Sequence, residues 1–162
     1  NLNSSIGNRF KNIDLSISLL ESKNIKIIKK SNFYETPAYP NVKDPKFINV
    51  IIKASTNLTP ENLASVIVYI EEKLERKRNK KNEPRTCDID IIDYNGQIID
   101  FKYKEMDFTV PHTKLISRNF VLFPLQEILP KWEHPKTKET ISTLIQKLPG
   151  EDVKSILKVK KN

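Results

Sequence analysis

The 162-residue sequence predicts an α+β domain, an antiparallel sheet with helices packed on it. Segments with apolar residues every three or four positions alternate with segments of period two. Their order is helix, strand, strand, helix, strand, strand, helix, helix, strand, and short turn-rich stretches join the strands. No internal repeat or low-complexity linker breaks the chain, so residues 1–162 are expected to form a single domain with a real core.

Gly7-Asn8-Arg9 leads into Phe10, Ile13, Ile17 and Leu20, one apolar face of a helix ending near Ser22. Ile25 to Thr36 is β-rich and is stopped by Pro37 and Pro40. AYPNVKDPK is a loop. Phe47 to Thr56 reads as the second strand, with Phe47, Asn49 and Ile51 on one face and Ile48, Val50 and Ile52 on the other. Thr59-Pro60-Glu61 starts a helix: N-cap, proline at the first position, acid in the first turn. Its stripe is Leu63, Val66, Ile67, Ile70 and Leu74, running to about Arg76. After the basic stretch RKRNKKNEPR, Cys87 to Ile92 reads as a strand that turns at Asn95-Gly96 into QIID. An extended TVPH then precedes a helix with Leu115, Phe120, Val121, Leu122 and Leu125. A short helix near Glu139 to Leu148 and a last strand, VKSILKV, complete the chain.

Composition excludes several classes. No run approaches the roughly 20 apolar residues of a membrane helix, and NLNSSIGNRF lacks the apolar core of a secretory signal. One cysteine, Cys87, excludes an internal disulfide and suits a reducing cytoplasm. Two scattered histidines with it do not make a zinc site. The formal charge of +8 favours an anionic partner (nucleotide, nucleic acid or phospholipid), although a lysine- and asparagine-rich composition produces the same excess without one.

Three constellations can carry chemistry. In PRTCDIDII, Cys87, Ile89 and Ile91 share one strand face while Asp88 and Asp90 share the other, about 7 Å apart. Like charges at that spacing belong either to a wet face or to one that holds a cation, and magnesium is held by one or two carboxylates plus substrate phosphates. Immediately upstream, Arg76, Lys77, Arg78, Lys80, Lys81 and Arg85 form either a solvated loop, an RNA-binding arm or a phosphate-binding arm. Phe47, Asn49 and Phe120 are either core residues or two rings and an amide that sandwich and read a flat heterocycle. His112 is a structural or a site histidine.

Taken in order, SSIGNR, SNFYETPAY, FINVIIKAST, IEEKLERKR, PRTCDIDII and TVPHTKLISRNFVLFPLQEI resemble the 6-hydroxymethyl-7,8-dihydropterin pyrophosphokinases of folate synthesis over nearly the whole chain. The most specific pieces are PRTCDID, similar to a PRT-x-D-[IL]-D signature, and VPH followed by RNF. The resemblance implies a ferredoxin-like α+β fold and pyrophosphoryl transfer from ATP to the hydroxymethyl pterin, releasing AMP. It implies Asp88 and Asp90 as ligands of two magnesium ions, with Arg76 and Arg85 joining them as catalytic residues at the phosphates. Glu71, Arg78, Ile91, Thr109, His112 and Arg118 match further ATP-site positions. Thr36, Pro37, Phe47, Asn49 and Phe120 match the pterin site. Its partners would be two small molecules rather than nucleic acid or membrane, and the protein a cytoplasmic monomer.

Some positions depart from the family pattern. Most of the strand that precedes the family's G-S-N-x-G-[DN]-R start is missing before Asn3-Ser4-Ser5-Ile6-Gly7-Asn8-Arg9, so the first strand is expected to be truncated. Glu83 stands where an aromatic is common, Thr113 replaces a frequent tyrosine, and Val68 and Asp107 replace polar or basic residues. Two rivals remain: an RNA-binding module indifferent to the aspartates, and a relative that binds without turnover.

Overall fold

The computed structural model describes residues 9–38, 45–74 and 87–161. The described residues bear out the α+β class: among them are five α-helices and seven strands, every ladder between them antiparallel. The described ladders form three separate pieces rather than one continuous sheet: β1–β4, β3–β2–β7 and β5–β6.

The first helix, α1 (Arg9–Glu21), buries Asn12, Ile13, Ser16 and Leu20. That face is rotated from the Phe10–Ile17 side, and Ser16 is tolerated inside because its hydroxyl donates to the Ile13 carbonyl at 2.7 Å. The expected strand from Ile25 to Thr36 divides into β1 (Lys26–Lys30) and β2 (Phe33–Thr36). The expected second strand divides into β3 (Phe47–Asn49) and β4 (Ile52–Ser55). Both breaks occur where buried Ser31 faces Ile51: the Ile51 amide bonds to Ser31 Oγ at 3.0 Å, and the Ser31 amide to the Ile51 carbonyl at 2.9 Å. A bulge at Ile28, between the Ile27–Ala54 and Lys29–Lys53 pairs, turns that side chain outward.

The next helix, α2 (Pro60–Lys73), starts as its sequence requires, with Thr59 Oγ1 accepting from the Asn62 amide at 3.3 Å. It buries Ala64, Ile67, Val68, Ile70 and Glu71, a wider face than the predicted stripe, because one side meets the core and the other a cleft.

The predicted strand at Cys87–Ile92 is not one. These residues keep the alternation of buried and exposed side chains, but no ladder partner stands beside them among the described residues. Asn95 and Gly96 make the predicted turn, both at positive φ, yet the hairpin itself comes later. It joins β5 (Ile99–Tyr103) to β6 (Met106–Val110) across Lys104-Glu105. After a single 3-10 turn (Leu115–Ser117) come α3 (Asn119–Ile128), α4 (Ile141–Gln146) and α5 (Gly150–Ser155). The predicted final strand shortens to β7 (Leu157–Val159), since Val153 to Ser155 belong to α5.

Two apolar clusters hold these pieces. One gathers Leu115, Val121, Leu122, Leu125, Ile141, Leu144 and Leu148 around α3 and α4; Ile51 and Ile92 pack on it. The other gathers Leu20, Ile25, Ile70, Leu74 and Cys87, with Ile52 and Ile89 packed on it. The aspartate segment therefore has apolar anchors in both cores, and those anchors do the work that a ladder would do in a strand.

Candidate active site

Between α2, the aspartate segment and β6 lies a cleft of about 400 Å³. Six of the residues singled out in the sequence line it together: Glu71, Asp88, Asp90, Ile91, Thr109 and His112. Ile67, Val68, Met106, Asp107, Phe108 and Val110 also line it, the apolar ones giving it greasy walls beside its carboxylates.

Each polar group is placed by its element. Glu71 is only 2% exposed, and its Oε1 accepts the Ile89 amide at 2.9 Å. A helix carboxylate thus pins the backbone between the two aspartates. With Cys87 and Ile89 drawn into the α1–α2 core, Asp88 and Asp90 are left exposed at the cleft. Asp90 Oδ2 lies 3.2 Å from Arg118 Nη1 and 3.8 Å from His112 Nε2. Arg118 in turn lies 3.4 Å from His112 Nε2 and stacks over the Phe120 ring at 5.4 Å. His112 Nδ1 accepts the Lys114 amide at 3.1 Å, leaving Nε2 toward the charged pair. Burial pushes the imidazole below its ordinary value, which Asp90 opposes and Arg118 reinforces, favouring the neutral ring.

A second group sits on the β2–β3 hairpin. Asn49 Nδ2 donates to Thr36 Oγ1 at 3.1 Å, and Phe47 pairs across the ladder with Thr36. Thr36 is buried, Pro37 exposed, and Phe47 and Asn49 half-buried. Phe120 lies in the first turn of α3, half-buried against the α3–α4 core, with no direct ring contact to Phe47 among the described residues. Arg76, Arg78 and Arg85, and Glu83 with them, lie outside the described residues.

Among the described residues no group of three or more His, Cys, Asp or Glu side chains could hold a metal by itself. The exposed carboxylates of Asp88 and Asp90 nevertheless fit a hard cation whose remaining ligands are phosphate oxygens and water. Asp93 is a turn residue: it accepts the Gly96 amide at 3.1 Å and the Trp132 Nε1–H at 3.3 Å.

The family model for 7,8-dihydro-6-hydroxymethylpterin-pyrophosphokinase matches residues 1–130. The chain belongs to this family. It is 37% identical over 134 residues to the 2-amino-4-hydroxy-6-hydroxymethyldihydropteridine pyrophosphokinase of Aquifex aeolicus, covering 83% of this chain and 81% of that protein. It is also 40% identical over 148 residues to a folic acid synthesis protein of Dictyostelium discoideum, 91% of this chain and 22% of that protein. With a folic acid synthesis protein of Pneumocystis carinii it shares 34% identity over 156 residues, 96% of this chain and 20% of the relative. The chain therefore spans about a fifth of the length of those longer folate proteins.

Glu71, Thr109 and Ile91 carry no local signal of function, and only the resemblance marked them in the sequence. Ile67, Met106, Phe108 and Val110 escaped sequence reasoning because a cleft wall made of ordinary apolar residues reads as core.

Proposed function

We propose that this chain is a magnesium-dependent pyrophosphokinase. It would transfer the pyrophosphoryl group of ATP to the hydroxymethyl group of 6-hydroxymethyl-7,8-dihydropterin and release AMP, for folate synthesis. The observation that carries this is one cleft joining Glu71, Asp88, Asp90, Ile91, Thr109 and His112, with Arg118 braced on Asp90, in a chain of this family.

In this reading the adenosine part of ATP enters between the apolar walls, near Ile91 and Thr109, with its phosphates toward the aspartates and Arg118. Arg76, Arg78 and Arg85 supply further positive charge at the phosphates. Two magnesium ions held by Asp88 and Asp90 with phosphate oxygens would neutralise the triphosphate and acidify the substrate hydroxyl. Asn49 and Thr36 present hydrogen-bonding groups to the pterin edge, Pro37 bounds that side, and Phe47 and Phe120 cover its faces. The hydroxyl oxygen bonds to the β-phosphorus as the bond to the α–β bridging oxygen breaks. AMP leaves with that electron pair, and the hydroxyl proton passes to water. Glu71 keeps the aspartate backbone in place throughout, and His112, whose Nδ1 accepts the Lys114 amide, turns its Nε2–H toward Asp90. Catalysis rests on positioning and charge neutralisation rather than on a general base. We place the chain as a cytoplasmic monomer acting on these two small molecules, with residues 1–162 forming one domain.

Incubation with ATP and magnesium, with and without the hydroxymethyl pterin, tests the proposal. AMP and a pterin diphosphate should form only when the pterin is present. ADP as the nucleotide product would point to single-phosphoryl transfer, and salt-sensitive RNA binding without AMP release would favour the RNA-binding alternative.

A further inference from the structure

Away from the cleft, the Glu127 carboxylate gathers four donor groups from three other residues. Glu127 Oε1 accepts from the Asn32 amide at 2.9 Å and from Asn32 Nδ2 at 2.5 Å. Its Oε2 accepts from the Tyr34 hydroxyl at 2.6 Å and lies 3.3 Å from Lys158 Nζ. Three elements meet there, since Glu127 is on α3, Tyr34 on β2 and Lys158 on β7.

Both tied elements also carry pterin-site candidates. On β2, Tyr34 is the ladder partner of Asn49, and its carbonyl accepts from Asn49 Nδ2 at 3.5 Å. On α3, Phe120 precedes Glu127 by seven residues, which places the two on nearly one helix face about 10 Å apart. Between them stands Pro124, which has no N–H to return to the Phe120 carbonyl. The turn carrying Phe120 therefore lacks one of its helical bonds, and the attachment of α3 as a body to β2 fixes the ring more than usual.

We infer that Glu127 is a positioning residue for the pterin site: by clamping α3 to β2 it sets the gap between Phe120 and the Asn49–Thr36 edge. This inference rests on the functional reading above. The clamp persists over a broad pH range. Partial burial would raise the Glu127 carboxyl, but the bonds from Tyr34, Asn32 and Lys158 outweigh it and hold it at about 2. Burial and the bond to Glu127 push the Tyr34 hydroxyl up to about 12.

The test compares Glu127→Ala, Glu127→Gln and Tyr34→Phe with the unaltered protein. Binding of the hydroxymethyl pterin is read by its fluorescence, binding of a non-hydrolysable ATP analogue by calorimetry, and folding by circular dichroism. Glu127→Ala should weaken pterin binding about tenfold or more and raise the pterin KM further than it lowers kcat, with ATP-analogue binding unchanged. Glu127→Gln, which keeps one acceptor oxygen, should recover part of the loss. Tyr34→Phe should show the same selectivity at a few-fold size and carries the test if Glu127→Ala does not fold. Pterin binding unchanged in folded variants would overturn the positioning role while leaving the proposed reaction intact, and so would equal weakening of both ligands. An unaltered protein that binds the ATP analogue but no pterin would overturn the functional reading and this inference together.

Discussion

Asp88 and Asp90 do almost nothing for packing, since both are exposed while their neighbours Cys87 and Ile89 are drawn into the core. Replacing either by alanine should therefore leave the circular dichroism spectrum and melting temperature nearly unchanged. Turnover should fall by at least about 10²–10³-fold. An Asp88→Ala enzyme that still releases AMP at the original rate would remove that residue from the site. Arg118→Ala takes from Asp90 its 3.2 Å partner, and should lower kcat/KM for ATP by about 10–100-fold with the fold retained. Kinetics at varied ATP reads that directly. The aspartates were legible in the sequence because period-two alternation exposes a misplaced charge within an apolar run. Glu127 was not, because a glutamate near the end of a short helix looks the same whether it meets water or donors from three distant residues.

At the scale of elements, Thr59 closes the N-terminus of α2, the helix that carries Glu71. Thr59→Ala should cost about 1 kcal/mol in chemical denaturation by removing the bond to the Asn62 amide. The α3–β2 clamp sets a pH window. The Glu127 carboxyl is lowered from 4.5 to about 2 in the folded chain, so its contribution is complete above its unfolded value and is lost as pH falls from about 4.5 through 2. Tyr34 is raised from 10 to about 12, so its contribution is complete below 10 and is lost as pH rises from 10 through 12. Denaturation midpoints across pH should show both shoulders, and Tyr34→Phe should abolish the alkaline one. Helix starts were legible from caps and proline. The aspartate segment was misread as a strand because alternation reports which side chains are buried, and says nothing about whether a second backbone lies alongside. The hairpin was placed at Asn95-Gly96 because its turn chemistry is strong. Pairing instead went to Ile99–Tyr103 and Met106–Val110, where Phe101 and Phe108 stack at 5.1 Å.

The whole molecule rests on two apolar clusters that grip the site from either side. Leu122, fully buried among α3 and α4, should cost about 2–5 kcal/mol when cut to alanine. A loosened α3–α4 cluster would also release Ile92 and so disturb the aspartates. No helix among the described residues is long and apolar enough to cross a membrane. The α+β class was legible from the order of periodicities, whereas the division of its ladders into three pieces depends on contacts between distant segments that no local pattern records. The central claim is that the Asp88–Asp90 pair takes up divalent ions together with the nucleotide triphosphate. Manganese titration followed by electron paramagnetic resonance, with and without a non-hydrolysable ATP analogue, tests it most directly. Tight uptake that needs the analogue, and that Asp88→Asn or Asp90→Asn abolishes, is the predicted result. Uptake unaffected by both substitutions would contradict it.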